Sequence, residues 1–133
     1  MNKSRFSFNV KVLSILLFIT GIFAFAGSVF MWGKGFILDF PKGVDYSYPV
    51  TDIIVNVPVS LIAAVGLWRL KRYGYIASQI FSGFAIYASV EIFVKAVQGD
   101  LAGSIEIIFP QIFAVLLAIV LIVYLWHKKD EFR

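Results

Sequence analysis

Val12–Trp32 reads VLSILLFITGIFAFAGSVFMW, 21 consecutive residues without a charge. At about 1.5 Å of rise per residue, a helical run of about 20 apolar residues crosses the roughly 30 Å hydrocarbon core of a bilayer. Three further stretches repeat the pattern: Val50–Leu70, Tyr75–Val97 and Ile105–Trp126. The expected fold is an all-α, four-helix transmembrane bundle with antiparallel neighbours and one longer outer loop at the membrane interface.

Composition agrees with that reading. The 133 residues are 60% hydrophobic and 15% charged, with mean hydropathy +0.87. Soluble domains average about 45–50% apolar and about 25% charged. One small core cannot hide that much apolar surface from water, so the bilayer is the expected solvent. Residues 1–133 form a single integral membrane domain, with no room for a second.

The links between spans set the topology. Residues 71–74 and 98–104 are short and carry Gly74, Gly99 and Gly103, which makes the helices they join antiparallel. Residues 33–49 form the long connection, with Phe36, Phe40, Tyr46 and Tyr48 interleaved among glycines and prolines. Aromatic rings favour the membrane–water interface, so this loop is expected to cap the bundle there. Lys3, Arg5, Lys11, Arg69, Lys71, Arg72, Lys128, Lys129 and Arg133 fall on one side, against Lys34, Lys42 and Lys95 on the other. Positive charge is retained on the cytoplasmic face, which puts both termini in the cytoplasm of a plasma-membrane protein. The basic tail, apolar run and Ala24-Phe25-Ala26 also resemble a secretory signal with its cleavage site. The apolar run continues through Trp32, long enough to span, so the segment is read as a retained helix.

Several function classes drop out. Without cysteine there is no disulfide, thiolate or zinc–sulfur chemistry, and one histidine, His127, is too few for most catalytic or metal clusters. Phosphate-binding glycine loops, zinc-binding His pairs and nucleophile elbows are missing, so no cofactor is expected. The basic residues follow span ends and form no aromatic–basic nucleic-acid surface.

Helices in lipid associate through close backbone approach and interhelical hydrogen bonds. Thr20, Ala24 and Ser28 in span one, Ser60 and Ala64 in span two, and Ser78, Ser82, Ala85 and Ser89 in span three form small-residue stripes. These serve packing within the bundle or a homodimer seam. Pro58 and Pro110 each leave one carbonyl, of Ile54 and Glu106, without its usual donor, and are expected to kink spans two and four.

Polar residues that could form a pocket all map toward the outer face: Asp52, Asn56, Tyr87, Glu91, Lys95, Glu106 and Gln111. Asp52 and Asn56 are four apart and share a helical face, as do Glu91 and Lys95. Asp52 and Glu106 suit span starts, where a charge costs little and the helix dipole favours an acid. Glu91 lies about 9 Å inside its span end, where an ionisable group implies a partner, water or function. It is the leading candidate. Gln111 lies roughly 140° around span four from Glu106. On the inner side, Arg69, Lys71 and Arg72 are expected to meet anionic lipid.

The leading expectation is a non-enzymatic interaction or accessory component with an outward polar pocket. It would bind the bilayer, and a second copy or another membrane protein, but no nucleic acid. A homo-oligomeric transporter of ions or small solutes is the alternative. A lipid-modifying enzyme using Glu91 with Asp52 or Glu106 is a third reading, on a thin set of titratable groups.

Overall fold

The computed structural model describes residues 3–34, 39–40, 43–44, 50–98 and 105–133. It is helical apart from one two-residue antiparallel pairing, β1 (Asp39–Phe40) with β2 (Gly43–Val44). Helix α1 spans Lys3–Lys34. A π turn, Asp52–Asn56, runs directly into α2, Val57–Trp68. Helix α3 spans Arg72–Val97 and α4 spans Ile105–Trp126, followed by a 3-10 turn at Lys129–Glu131. The rest of the 33–49 loop and of the 98–104 link lies outside the described residues.

Three helices are long and apolar enough to cross a membrane, over Arg5–Phe30, Arg72–Val97 and Ile108–Trp126. The second expected span is shorter: the apolar helix runs only over Asp52–Trp68. It ends early because the chain turns at once. Lys71 N–H donates to the Gly66 carbonyl at 2.8 Å and Leu70 N–H to the Leu67 carbonyl at 2.9 Å. Those two bonds make a Schellman cap, which needs a left-handed residue. Leu70 supplies it at φ 53. Helix α1 is longer than its apolar run, because no proline interrupts the preceding residues. Phe6, Val10, Leu13 and Leu17 recur by threes and fours there and are buried on one face.

Packing follows chain order, α1 on α2, α2 on α3 and α3 on α4. Ser14 Oγ donates to the Ala64 carbonyl at 2.6 Å, while Gly21, later in α1, meets Ser60, earlier in α2. The pairs Gly66–Gly74, Gln79–Leu121 and Ser89–Gln111 reverse direction in the same way. Neighbouring helices therefore run antiparallel. Asn9 Nδ2 donates to Tyr124 Oη at 3.3 Å, joining α1 to α4. Below that bond, Phe132 packs edge-on against Phe6, ring centroids 5.8 Å apart, and lies against Tyr75.

Small polar residues lie inside and many large apolar ones outside. Ser14, Ser28, Ser60, Ser78, Ser82 and Ser89 are buried, whereas Phe18, Phe23, Phe30, Ile80, Phe109 and Leu116 face outward. The small-residue stripes are thus largely consumed between helices of one chain. Leu17, Leu67, Phe81, Leu121 and Leu125 fill the middle.

The tightest approach is between α2 and α3. A Cβ on Gly66 would fall onto the Gly74 backbone, and one on Gly74 onto the Gly66 backbone. Gly27 and Gly83 have open space at the same position. Gly66→Ala or Gly74→Ala is therefore expected to destabilise by about 1–3 kcal/mol, the usual penalty for overpacking. Gly83→Ala is expected to be neutral or stabilising by up to about 1 kcal/mol through helix propensity. Thermal unfolding in detergent separates the two classes, and equal midpoints for Gly74→Ala and Gly83→Ala would contradict the glycine contact.

Candidate functional site

The α1–α2 joint gathers polar groups at the end of the bundle opposite Phe6 and Phe132. Its geometry begins with Pro58, which has no N–H to donate. Just before it the helix widens into the π register, and Val57 N–H reaches back five residues to the Asp52 carbonyl. A π turn inserts one extra residue, and such turns recur at functional sites. The irregularity expected at Pro58 takes the form of this wider turn, which packs against α1.

Asn56 Nδ2 donates to Asp52 Oδ1 at 3.1 Å across the turn. Ser28, 1% exposed, comes from α1. Its hydroxyl lies within reach of the Asp52 carboxyl, but not at the distance and angle of a formed hydrogen bond. Asn56 Oδ1 is also buried without a partner. Turning the amide over would set its oxygen against the carboxylate oxygen, so the observed orientation is the favourable one. Each unsatisfied buried polar atom costs about 1–3 kcal/mol. Two such atoms flanking one carboxyl form an oxygen-rich cluster whose capacity for hydrogen bonds or coordination is unspent.

The remaining candidates occupy other places. Glu91 Oε1 and Lys95 Nζ form an i,i+4 ion pair at 3.0 Å on α3, with both side chains partly exposed. Tyr87 stands one turn away and is 69% exposed. Gln111 Oε1 accepts a hydrogen bond from Ser89 Oγ at 3.0 Å, tying α4 to α3. Its partner is the small-residue stripe of α3, not another acid. The side chain of Glu106 lies outside the described residues. Among those described, no three Asp, Glu or His side chains come together. The six described candidates therefore separate into groups: Glu91–Lys95 with Tyr87 on α3, Gln111 bonded to Ser89, and Asp52–Asn56 beside Ser28 of α1.

Sequence reading placed Ser28 only in a packing stripe. The signal that could have singled it out was its position opposite the first turn of span two, once antiparallel pairing is assumed. Asn9 and Gln79 were likewise invisible as partners; Gln79 Nε2 donates to the Leu121 carbonyl at 3.4 Å.

The other end is basic. Lys11 Nζ lies 5.3 Å from the Trp68 ring centroid, and Lys129 Nζ 5.1 Å from that of Trp126. Arg72 N–H donates to the Arg133 carbonyl at 2.9 Å, and Arg133 N–H to the Leu70 carbonyl at 3.2 Å, so the C-terminal residues close against the α2–α3 corner. His127 Nδ1 donates to the Val123 carbonyl at 2.7 Å, a helix-end contact. The chain matches no protein-family model, no curated protein and no solved structure.

The Ser89–Gln111 bond gives a direct energetic test. Interhelical polar pairs of this kind average about 0.6 kcal/mol in membranes. Ser89→Ala and Gln111→Leu should each destabilise, and the double variant should cost less than their sum by about that amount. Strict additivity in a double-mutant unfolding cycle would mean that the two side chains do not interact.

Proposed function

We propose that this chain is a four-span integral protein of the plasma membrane, with both termini cytoplasmic. In this reading it acts by binding rather than catalysis, as an interaction or accessory component with an outward polar pocket at the α1–α2 joint. The observation that carries the reading is the exterior: Phe18, Phe23, Phe30, Ile80, Phe109 and Leu116 face outward while six serines are buried among the core side chains. A bilayer accepts that exterior, and water does not.

Several features support the finer parts. The helix over Asp52–Trp68 is about 25 Å long, somewhat short for a hydrocarbon core of roughly 30 Å. Local thinning of the bilayer accommodates such a mismatch at modest cost. Arg5, Lys11, Arg69, Lys71, Arg72, Lys128, Lys129 and Arg133 all belong to the end closed by Phe132, which supports a cytoplasmic assignment. Among the described residues, buried Leu17, Leu67, Phe81, Leu121 and Leu125 fill the middle of the bundle with apolar side chains, which favours an accessory role over transport. Arg69 sits at the mouth of an apolar groove between α1 and α2 whose walls include Ile15, Phe18, Val65 and Trp68. That arrangement suits an anionic lipid, chain in the groove and headgroup on the basic corner.

Because the natural chain has no cysteine, single cysteines report topology cleanly. Lys42→Cys should react with a membrane-impermeant maleimide in intact cells, and Lys71→Cys and Lys128→Cys only after permeabilisation. The reverse pattern would sink the orientation. An accessory role also requires a stable partner after mild solubilisation; a chain that is recovered alone and transports ions in liposomes supports the rival reading. Arg69→Gln with Lys71→Gln should lower the amount of co-purifying anionic lipid, each charge contributing about 1 kcal/mol. Unchanged lipid content would remove the headgroup assignment.

A further inference from the structure

Six serines are buried among the described residues, and five of them donate to a neighbour. Ser14 bonds to Ala64, Ser60 to Val57, Ser78 to Gly74, Ser82 to Ser78 and Ser89 to Gln111. A serine inside a helix ordinarily satisfies itself on the carbonyl one turn back, as Ser78 and Ser82 do. Ser28 makes no such bond, although it is as buried as the others and its own helix offers the same carbonyl. Its hydroxyl is instead held beside Asp52. Asn56 spends its N–H on Asp52 Oδ1 and leaves its own oxygen buried and bare.

We propose that the Asp52 carboxylate, Asn56 Oδ1 and Ser28 Oγ hold one hard monovalent cation between α1 and the π turn, pinning the outer ends of the two helices together. This deepens the polar-pocket reading and rests on it. The donor set is all oxygen, the preference of a hard cation. Among the described residues its charge is the single negative one of Asp52, since Glu91, the other described acid toward this end, is paired with Lys95. A monovalent ion is neutralised by that one carboxylate, whereas a divalent ion would remain a net positive charge in a region of low dielectric.

The test uses the full chain in detergent, with sodium chloride against choline chloride at equal ionic strength. An ion that binds only the folded state raises the unfolding midpoint with its concentration. Sodium is expected to raise the midpoint over choline. Asp52→Asn should abolish that difference, and Ser28→Ala should weaken the apparent affinity roughly tenfold or more, the loss of one bond to a charged group. Asn9→Ala, at the opposite end, should keep the full response. Should Asp52→Asn fail to fold, the width of the sodium-23 resonance with the wild-type chain and with Ser28→Ala replaces it. Broadening with the former that diminishes with the latter supports the site. Equal midpoints in sodium and choline, a wild-type response in Asp52→Asn, or a stronger response to calcium would overturn the proposal. No sodium effect, with Lys42→Cys labelled from outside, removes the cation and leaves the four-span reading intact. Inverted cysteine labelling removes the orientation without touching the sodium result.

Discussion

The contact between Gly66 and Gly74 is the constraint on which the bundle depends. Helices that share a hydrocarbon solvent gain little from excluding apolar surface, so they must approach closely enough for backbone dispersion and short polar bonds to act. Either glycine bearing a methyl group would strike the other helix's backbone. The tight α2–α3 corner, with Leu70 forced left-handed, is the geometric partner of that contact. With α2 and α3 in register, α1 and α4 dock on their outer flanks. The lower end then closes through Asn9–Tyr124 and through Phe132 between Phe6 and Tyr75.

Inside this frame, polar groups are handled by a consistent rule. Serines donate to carbonyls of their own or a neighbouring helix, Gln79 and Gln111 bridge α3 and α4, and Glu91 is neutralised by Lys95. Each arrangement removes a donor, an acceptor or a charge from a region that cannot solvate it. The joint between α1 and the π turn departs from the rule, with two buried oxygens beside a carboxylate. Its departure, rather than its acidity, is what marks it. Polar groups left unsatisfied in an otherwise economical interior are a cost that a ligand can offset.

Much of this was legible in the residues themselves. Hydropathy marks the spans because a membrane-crossing helix needs about 20 predominantly apolar residues; Val12–Trp32 meets that without a charge, and Tyr75–Val97 meets it despite Glu91 and Lys95. The Asp52–Asn56 and Glu91–Lys95 pairs follow from i,i+4 spacing, and the structure closes both. What spacing could not rank was their importance. Glu91 looked the more demanding because of its estimated depth, and Asp52 looked like an ordinary span start. Depth along one helix, however, says nothing about what the next helix presents. Ser28 lies 24 positions before Asp52 and meets it only after the chain has crossed and returned.

By itself, then, the sequence determined the apolar runs, the one-sided basic charge, the absence of thiol chemistry and the local polar pairs. All of these depend on residue type and on spacing within one turn or one span. The tertiary structure alone decided which glycines touch, that Pro58 is met by a π turn, that α2 stops at Trp68, and which serine is left without a bond. Those outcomes depend on the relative rotation and depth of separate helices. In lipid, where no exclusion of water fixes that rotation, it is set by the few atoms at which two backbones meet.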